Sequence, residues 1–232
     1  MLRKNIPNTI TILNLLMGTL ATINIMDGNL ILGAMLIAAG AFFDFFDGLA
    51  ARLLKVASPM GKELDSLADL ISFGLAPTLI AMNFMENAPF PEKWTLLDYL
   101  PLLLIIASAL RLAKFNIDTR QSDGFLGMPT PANAMFWLGL IFWTQADSQF
   151  RTLALNPWFL CIAISFMSLL MVSEVKLIGL KFKNLAFKEN AHRFAVLISS
   201  LLLFIVFRFE ALPFVVVLYL IISIIYNYLL KR

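Results

Sequence analysis

The chain has 232 residues, of which 60% are hydrophobic and 14% charged, and this composition excludes a soluble domain with a solvated exterior. Its 21 Phe residues and long Leu and Ile runs exclude a disordered chain, and its single cysteine, Cys161, excludes a disulfide-based framework. The net charge of +3 favours contact with anionic lipid and gives no support to nucleic-acid binding.

Eight apolar segments, separated by polar or Pro- and Gly-containing clusters, are candidate membrane spans. A hydrocarbon core ~30 Å thick takes ~20 residues per helix, so eight helices use roughly 160 residues and leave short loops. The sequence therefore predicts an all-α polytopic membrane helix bundle of about eight transmembrane helices, forming a single membrane domain over residues 1–232. The segments are residues 6–26, 30–54, 62–84, 98–115, 131–147, 157–175, 194–208 and 211–229.

The last two segments also have an alternative interpretation. Residues 194–208 are short for a span, and Arg208 with Glu210 leaves only a tight turn before Pro213. A re-entrant hairpin is therefore the alternative to two full crossings.

Positive charge is concentrated on one side of the predicted bundle. With the chain starting inside, most of its 18 Lys and Arg residues fall on that side, and the opposite side keeps Lys93, Arg151 and Arg208. Positively charged loops are retained in the cytoplasm, so both termini are predicted to lie on the cytoplasmic side of the inner membrane. The first segment has no cleavage-type small-residue site followed by a soluble domain, so we expect a retained span.

Four aspartates lie where two of the predicted spans meet. Asp44 and Asp47 share one stripe of the second span at i and i+3, and Asp65 and Asp69 share one stripe of the third at i and i+4. A short loop joins the two spans, so the stripes can face each other. The sequence therefore predicts one acidic pocket at the cytoplasmic end of the bundle.

These acids need neutralisation, because two like charges about 4 Å apart repel by roughly 4 kcal/mol at an effective dielectric constant of about 20. Protonation is one answer, and ion pairs with Arg52, Lys55 and Lys62 are another. Binding of divalent cations is the third way to neutralise them. An all-oxygen site suits Mg²⁺ or Mn²⁺, and a pair of such ions serves displacement at phosphorus.

Small residues and one arginine accompany the acids. Gly48 and Gly61 are interpretable as helix-packing glycines, or as positions where a phosphate approaches the backbone. Arg52 offers a bidentate partner for phosphate oxygens.

The acidic segment resembles the signature of the CDP-alcohol phosphatidyltransferases, since it reads Asp44-x2-Asp47-Gly48-x2-Ala51-Arg52-x8-Gly61-x3-Asp65-x3-Asp69. The resemblance implies a six-helix catalytic core over residues 1–175, usually homodimeric, with its active site open to the cytoplasm. The helix pair at 194–229 would be additional to that core.

The resemblance also implies roles for individual residues. Two divalent metals, Mg²⁺ or Mn²⁺, would be held by Asp44, Asp47, Asp65 and Asp69. Asp69 would also be the catalytic base toward the acceptor hydroxyl. The CDP-lipid would be bound by Gly48, Ala51, Arg52 and Gly61, and by Asn8 and Thr11 of a Pro7-Asn8-x2-Thr11 element. A helix start capped by Asn8 or Thr9 is the alternative interpretation of that element.

Three further segments are similar to the integral-membrane, serine-using branch of the same family: residues 63–77, 110–116 and 127–132, with Lys114 and Met128 as mild departures. This similarity implies that CDP-diacylglycerol and L-serine are the partners and that phosphatidylserine and CMP are the products. A serine pocket needs a cation and neutral polar groups, and the candidates are Ser72, Arg111 and Asn116.

Two other functions stay open on the residues alone. One is the same reaction with glycerol 3-phosphate or inositol phosphate as acceptor, which would want a denser basic cluster. The other is a divalent-cation transporter, which needs acids spread through the membrane depth, whereas the four aspartates crowd one end.

Overall fold

The computed structural model describes residues 2–56, 58–90, 96–118, 124–146, 149–179 and 186–230. Each predicted segment corresponds to a helix whose ends differ by a few residues, and the third segment comprises α3 and α4. The helices are α1 (Leu2–Met26), α2 (Leu30–Leu54), α3 (Pro59–Asp69), α4 (Ala76–Asn87), α5 (Leu102–Ile117), α6 (Thr130–Gln145), α7 (Gln149–Ala154), α8 (Pro157–Val172), α9 (Phe187–Phe207) and α10 (Leu212–Ile225).

By length and composition, five stretches within the described ranges could cross a membrane, and the α8 helix is apolar but shorter. They are Asn5–Met26, Leu30–Leu54, Pro59–Asn87, Leu97–Ile117 and Asn190–Tyr228. The fifth contains most of α9 and all of α10, which are separated at Arg208, where φ is +50°. Large apolar side chains face outward along these helices, as a lipid environment requires: Phe42 and Phe45, which flank Asp44, are 58% and 61% exposed.

The third span is one continuous helix with a wider turn in its middle. Helices α3 and α4 are joined by a π-helical segment, Leu70–Leu75, in which the Ala76 N–H bonds the Ile71 carbonyl. Pro77 has no N–H to donate, which removes one α-helical bond at this place. The segment contacts α1 at Gly18, where a Cβ atom would lie 2.1 Å from Ser72 Oγ. Only glycine allows this approach, which brings α1 beside Asp69 and Ser72.

A short β-ribbon adds to the predicted all-helical fold. Strand β1 (Gly124–Leu126) pairs antiparallel with β2 (Lys176–Ile178), and Phe125 lies opposite Leu177. Both strands have three residues, too few for an alternating pattern to be recognised in the sequence. The ribbon joins the loop before α6 to the loop after α8.

Candidate active site

The turn between α2 and α3 brings the two acidic stripes together. Helix α2 ends at Lys55, which has left-handed backbone angles, and the Val56 N–H returns to the Ala51 carbonyl. Helix α3 begins at Pro59, after Ser58 has capped it by accepting the Gly61 N–H at 3.0 Å. The first turn of α3 therefore lies beside the last turns of α2.

The carboxylates converge as the sequence predicts. Asp44, Asp47 and Asp65 each place one oxygen so that these atoms all lie within 4.8 Å of one another. Asp69 adjoins this group, because the side chain of Asp44 interacts with those of both Asp65 and Asp69. Asp69 is buried as well, at 9% exposure. We call these four residues the acidic cluster.

The acidic cluster is suited to hard cations. One oxygen of Asp47, Oδ2, is buried and has no hydrogen-bond partner, which is costly unless a cation is bound beside it. The donors are all carboxylate oxygens, the ligand type that Mg²⁺ and Mn²⁺ prefer. The cluster could therefore hold a divalent metal.

The ion-pair alternative is not supported by the part of the chain that the structure describes. Arg52 donates from Nε to the Gly48 carbonyl at 2.9 Å, and Lys62 donates to the Asn116 carbonyl. Lys55 is exposed. Among the described residues, none of these three cations forms a salt bridge with the acidic cluster. Their charges do not neutralise the aspartates by direct contact.

A cavity of about 500 Å³ opens next to the acidic cluster. Asp47 and Asp65 lie in its wall, as does Lys62. Five of the residues predicted to bind the CDP-lipid also line it: Asn8, Thr11, Gly48, Ala51 and Gly61. The sixth, Arg52, is not among the lining residues, because its side chain is turned back along α2.

The two glycines of the signature have different surroundings. A Cβ atom at Gly48 would meet nothing within 4 Å, so no helix packs against this residue and the backbone is open to the cavity. A Cβ atom at Gly61 would lie 3.0 Å from Asn8 Oδ1, so Gly61 lets α1 and α3 approach. The helix-packing interpretation is thus wrong for Gly48, and Gly61 has a packing contact at the cavity wall.

The capping interpretation of Asn8 is also wrong. Helix α1 begins at Leu2, so Pro7, Asn8 and Thr9 lie inside it. Thr11 donates to the Pro7 carbonyl at 3.0 Å and its hydroxyl lies beside the Asp47 carboxylate. The first helix therefore contributes polar groups to the cavity from its interior turns.

Sequence reasoning missed Asn14, which is fully buried beside Asp69. Its Nδ2 donates to Asp69 Oδ1 at 3.2 Å, and its Oδ1 accepts from Ser72 Oγ at 2.8 Å. The bond from Ser72 sets the amide orientation, so that the NH₂ group faces the carboxylate. A signal was present, because Asn14 follows Thr11 by three residues, which places both side chains on the same face of α1.

The three residues predicted to bind the acceptor have different environments. Ser72 is fully buried and its hydroxyl is bonded to Asn14. Asn116 donates to Ser66 Oγ at 2.9 Å, which ties α5 to α3. Arg111 is only 6% exposed, yet its Nε has no hydrogen-bond partner.

Arg111 is held by aromatic rings and lies within electrostatic range of Asp69. Its guanidinium carbon lies 4.9 Å from the centroid of the Phe115 ring and 5.6 Å from that of Phe125. It also interacts electrostatically with Asp69. Burial of an arginine with an unpartnered donor is costly, and an anionic ligand would supply the missing partner.

Comparison with known proteins gives a consistent result. Residues 4–175 match the family model described as CDP-alcohol phosphatidyltransferase. A CDP-diacylglycerol–serine O-phosphatidyltransferase of Bacillus subtilis (strain 168) is 39% identical over 172 residues, 74% of this chain and 88% of that protein. Proteins of the same name are 33% identical over 222 residues in Helicobacter pylori (strain 26695; 94% of this chain, 89% of that protein) and 35% identical over 135 residues in Methanocaldococcus jannaschii (58% and 59%).

Proposed function

The chain belongs to the CDP-alcohol phosphatidyltransferase family, and we propose that it transfers the phosphatidyl group of CDP-diacylglycerol to the hydroxyl of L-serine, giving phosphatidylserine and CMP. The observation that supports this most directly is the acidic cluster at the wall of a 500 Å³ cavity into which Gly48 opens. Such a site combines ligands for cations with space for a nucleotide.

The metal requirement is part of the proposal. Asp44, Asp47 and Asp65 would hold two divalent cations, Mg²⁺ or Mn²⁺, with Asp69 completing the ligand set. When bound, such cations neutralise the negative charge of a diphosphate and make its phosphorus more electrophilic. The nucleotide end of the lipid would occupy the cavity between Asn8, Thr11, Gly48, Ala51 and Gly61.

In this proposal Asp69 acts as the base. A new bond forms between the serine oxygen and the lipid-side phosphorus, the bond from that phosphorus to CMP breaks, and the serine proton passes to a carboxylate oxygen of Asp69. Asn14 holds the other oxygen at 3.2 Å and so fixes the orientation of this carboxylate. Asn14 is therefore a positioning residue.

Arg111 would bind the serine carboxylate. Its guanidinium lies over the rings of Phe115 and Phe125, interacts electrostatically with Asp69 and keeps an unused donor at Nε. A phosphate-bearing acceptor would require further cations, but Lys114, one turn along α5, pairs with Glu174 at 3.1 Å. This environment favours an acceptor with a single carboxylate over glycerol 3-phosphate or inositol phosphate.

Release of CMP tests the function. Purified protein in mixed micelles with CDP-diacylglycerol and Mg²⁺ or Mn²⁺ should release CMP when L-serine is added, and a chelator should stop the reaction. Glycerol 3-phosphate and inositol phosphate are the competing acceptors in parallel reactions. Absence of a serine-dependent lipid product at every metal concentration would contradict the proposal, and a preference for a phosphorylated acceptor would replace it.

Gly48→Ala should separate ligand binding from stability. The added methyl group meets no protein atom within 4 Å, and alanine is favoured in a helix by about 1 kcal/mol, so the unfolding midpoint should not fall. The methyl group enters the space proposed for the CDP-lipid, so the KM for CDP-diacylglycerol should rise about tenfold or more. Thermal unfolding and initial rates measure the two effects.

Gly40→Ala is the matched control for this substitution. A Cβ atom at Gly40 would lie 3.0 Å from Asn14 Oδ1, inside the packed helices, so this variant should lose stability. An unchanged KM for CDP-diacylglycerol in Gly48→Ala would show that the lipid does not use this part of the cavity.

We also propose that all eight helical segments cross the inner membrane and that the enzyme is a homodimer. The active site and both termini would lie on the cytoplasmic side.

Labelling of single cysteines in a Cys161→Ser background tests this orientation. A membrane-impermeant maleimide should label Glu86→Cys in intact spheroplasts, and Lys55→Cys only after lysis. Both side chains are exposed in the native sequence. The reverse pattern would invert the proposed topology.

A further inference from the structure

Side chains of α10 and of the turn after it form hydrogen bonds with the outer edge of β2. In an antiparallel pair, alternate residues of a strand direct their backbone groups to opposite sides. The Gly127 N–H donates to the Val175 carbonyl at 2.9 Å, so Val175 and Leu177 direct their backbone groups toward β1 and its following residue. The backbone groups of Lys176 and Ile178 therefore face away from that partner strand.

These outward backbone groups find partners on α10 and the turn that follows it. Tyr219 donates its hydroxyl to the Ile178 carbonyl at 2.9 Å, and Ser223 accepts the Ile178 N–H at 3.2 Å. Asn227 donates to the Lys176 carbonyl at 2.9 Å, and Tyr228 accepts the Lys176 N–H at 3.2 Å. The side chains take the place of a third strand along this edge.

Helix α9 also forms a hydrogen bond with the segment that follows β2. Arg193 donates from Nε to the carbonyl of Gly179, the residue after β2, at 2.9 Å. Both α9 and α10 therefore form hydrogen bonds with the ribbon or the residue after it. These two helices lie beyond residue 175, where the family match ends.

The ribbon leads from these helices to Arg111. Phe125 is the central residue of β1, and its ring lies 5.6 Å from the Arg111 guanidinium and 6.4 Å from the Phe115 ring. The loop after β1 is tightly held, because a Cβ atom at Gly127 would lie 2.4 Å from the Met171 carbonyl oxygen. Tyr219 also interacts electrostatically with Arg111, so α10 lies within range of the same side chain.

We infer that the α9–α10 pair is a clamp that positions Arg111 through the β-ribbon and so sets the affinity for the acceptor, with Tyr219 and Ser223 as its positioning residues. This inference rests on the proposed function, since the acceptor it concerns is the serine carboxylate. The clamp acts on the acceptor end of the site, whereas the CDP-lipid cavity is built from α1, α2 and α3.

Kinetics of the full-length protein test the clamp. The test variant combines Tyr219→Phe with Ser223→Ala. Each substitution removes one hydroxyl and keeps the packing, and together they leave the Ile178 carbonyl and N–H without their partners. The KM for serine should rise about tenfold, since each buried hydrogen bond contributes modestly, while the KM for CDP-diacylglycerol stays within about twofold. Ser223→Ala alone should give part of the effect, because it removes the partner of the Ile178 N–H and keeps the Tyr219 hydroxyl that bonds the Ile178 carbonyl.

Ser199→Ala is the matched control. This hydroxyl bonds carbonyl groups of its own helix, α9, and does not reach the ribbon, so both KM values should stay at the wild-type level. Equal rises in the two KM values of the double variant, or a fall in kcat alone, would overturn the clamp.

Amide hydrogen exchange provides a readout that does not depend on activity. Exchange in residues 124–126 and 176–178 should increase in the double variant and not in Ser199→Ala. Unchanged exchange there would overturn the clamp. A wild-type protein that releases no CMP with serine would contradict the proposed function, and hydrogen exchange would then decide on the clamp by itself.

Discussion

Asp69→Asn is expected to lower kcat by about 10²- to 10⁴-fold, the range that removal of a general base produces. The substitution keeps the size of the side chain, and the new carbonyl oxygen can still accept the hydrogen bond that Asn14 donates to Asp69. The fold and the cavity should therefore persist. An amide cannot take up the serine proton, so turnover should fail while CDP-diacylglycerol binding is partly retained.

Two measurements on the purified variant check this expectation. CMP release under saturating serine gives kcat, and equilibrium binding of CDP-diacylglycerol gives the affinity. A kcat within about tenfold of wild type would remove Asp69 as the base. Loss of binding together with kcat would assign Asp69 to metal or lipid binding alone.

Asp44→Asn should have a different effect, because Asp44 belongs to the three residues whose oxygens lie within 4.8 Å of one another. Loss of one negative charge weakens the site for divalent cations. Since even groups that only support a metal ligand are worth 10- to 100-fold in affinity, the Mg²⁺ or Mn²⁺ concentration for half-maximal activity should rise at least about 100-fold. The KM for CDP-diacylglycerol should rise with it, because the diphosphate and the cations share the site.

Glu63→Gln is the matched control for Asp44→Asn. Glu63 lies on α3, two residues before Asp65, and is exposed to solvent. Its neutralisation makes the same change in net charge and leaves the acidic cluster intact. The Mg²⁺ or Mn²⁺ concentration for half-maximal activity should therefore stay at the wild-type value. A metal dependence in Asp44→Asn equal to that of Glu63→Gln would contradict the assignment of Asp44 as a ligand.

Features with a fixed spacing along one helix could be predicted from the sequence. Asp44 and Asp47 are three residues apart and Asp65 and Asp69 four, so helix geometry alone places each pair on one face. The loop between them is short, which limits how far the two faces can diverge. The apolar lengths likewise predicted helices at each of the eight segments.

Features made by contacts between distant residues could not be predicted. Asn14 and Asp69 are 55 positions apart, and their bond depends on the close approach of Gly18 to Ser72. The bond from Tyr219 to Ile178 spans 41 positions and depends on a ribbon too short to leave a pattern.

The sequence by itself determined the membrane environment, the helical segments, the family resemblance and the identity of the four aspartates, because hydrophobic length and helical periodicity are local properties of a chain. The tertiary structure decided which neighbours those aspartates have. It showed Asn14 bonded to Asp69, Gly48 open to a cavity, and Arg111 held against the rings of Phe115 and Phe125. Such neighbours arise when helices far apart in sequence pack together, and packing depends on the shapes of all the contacting side chains at once.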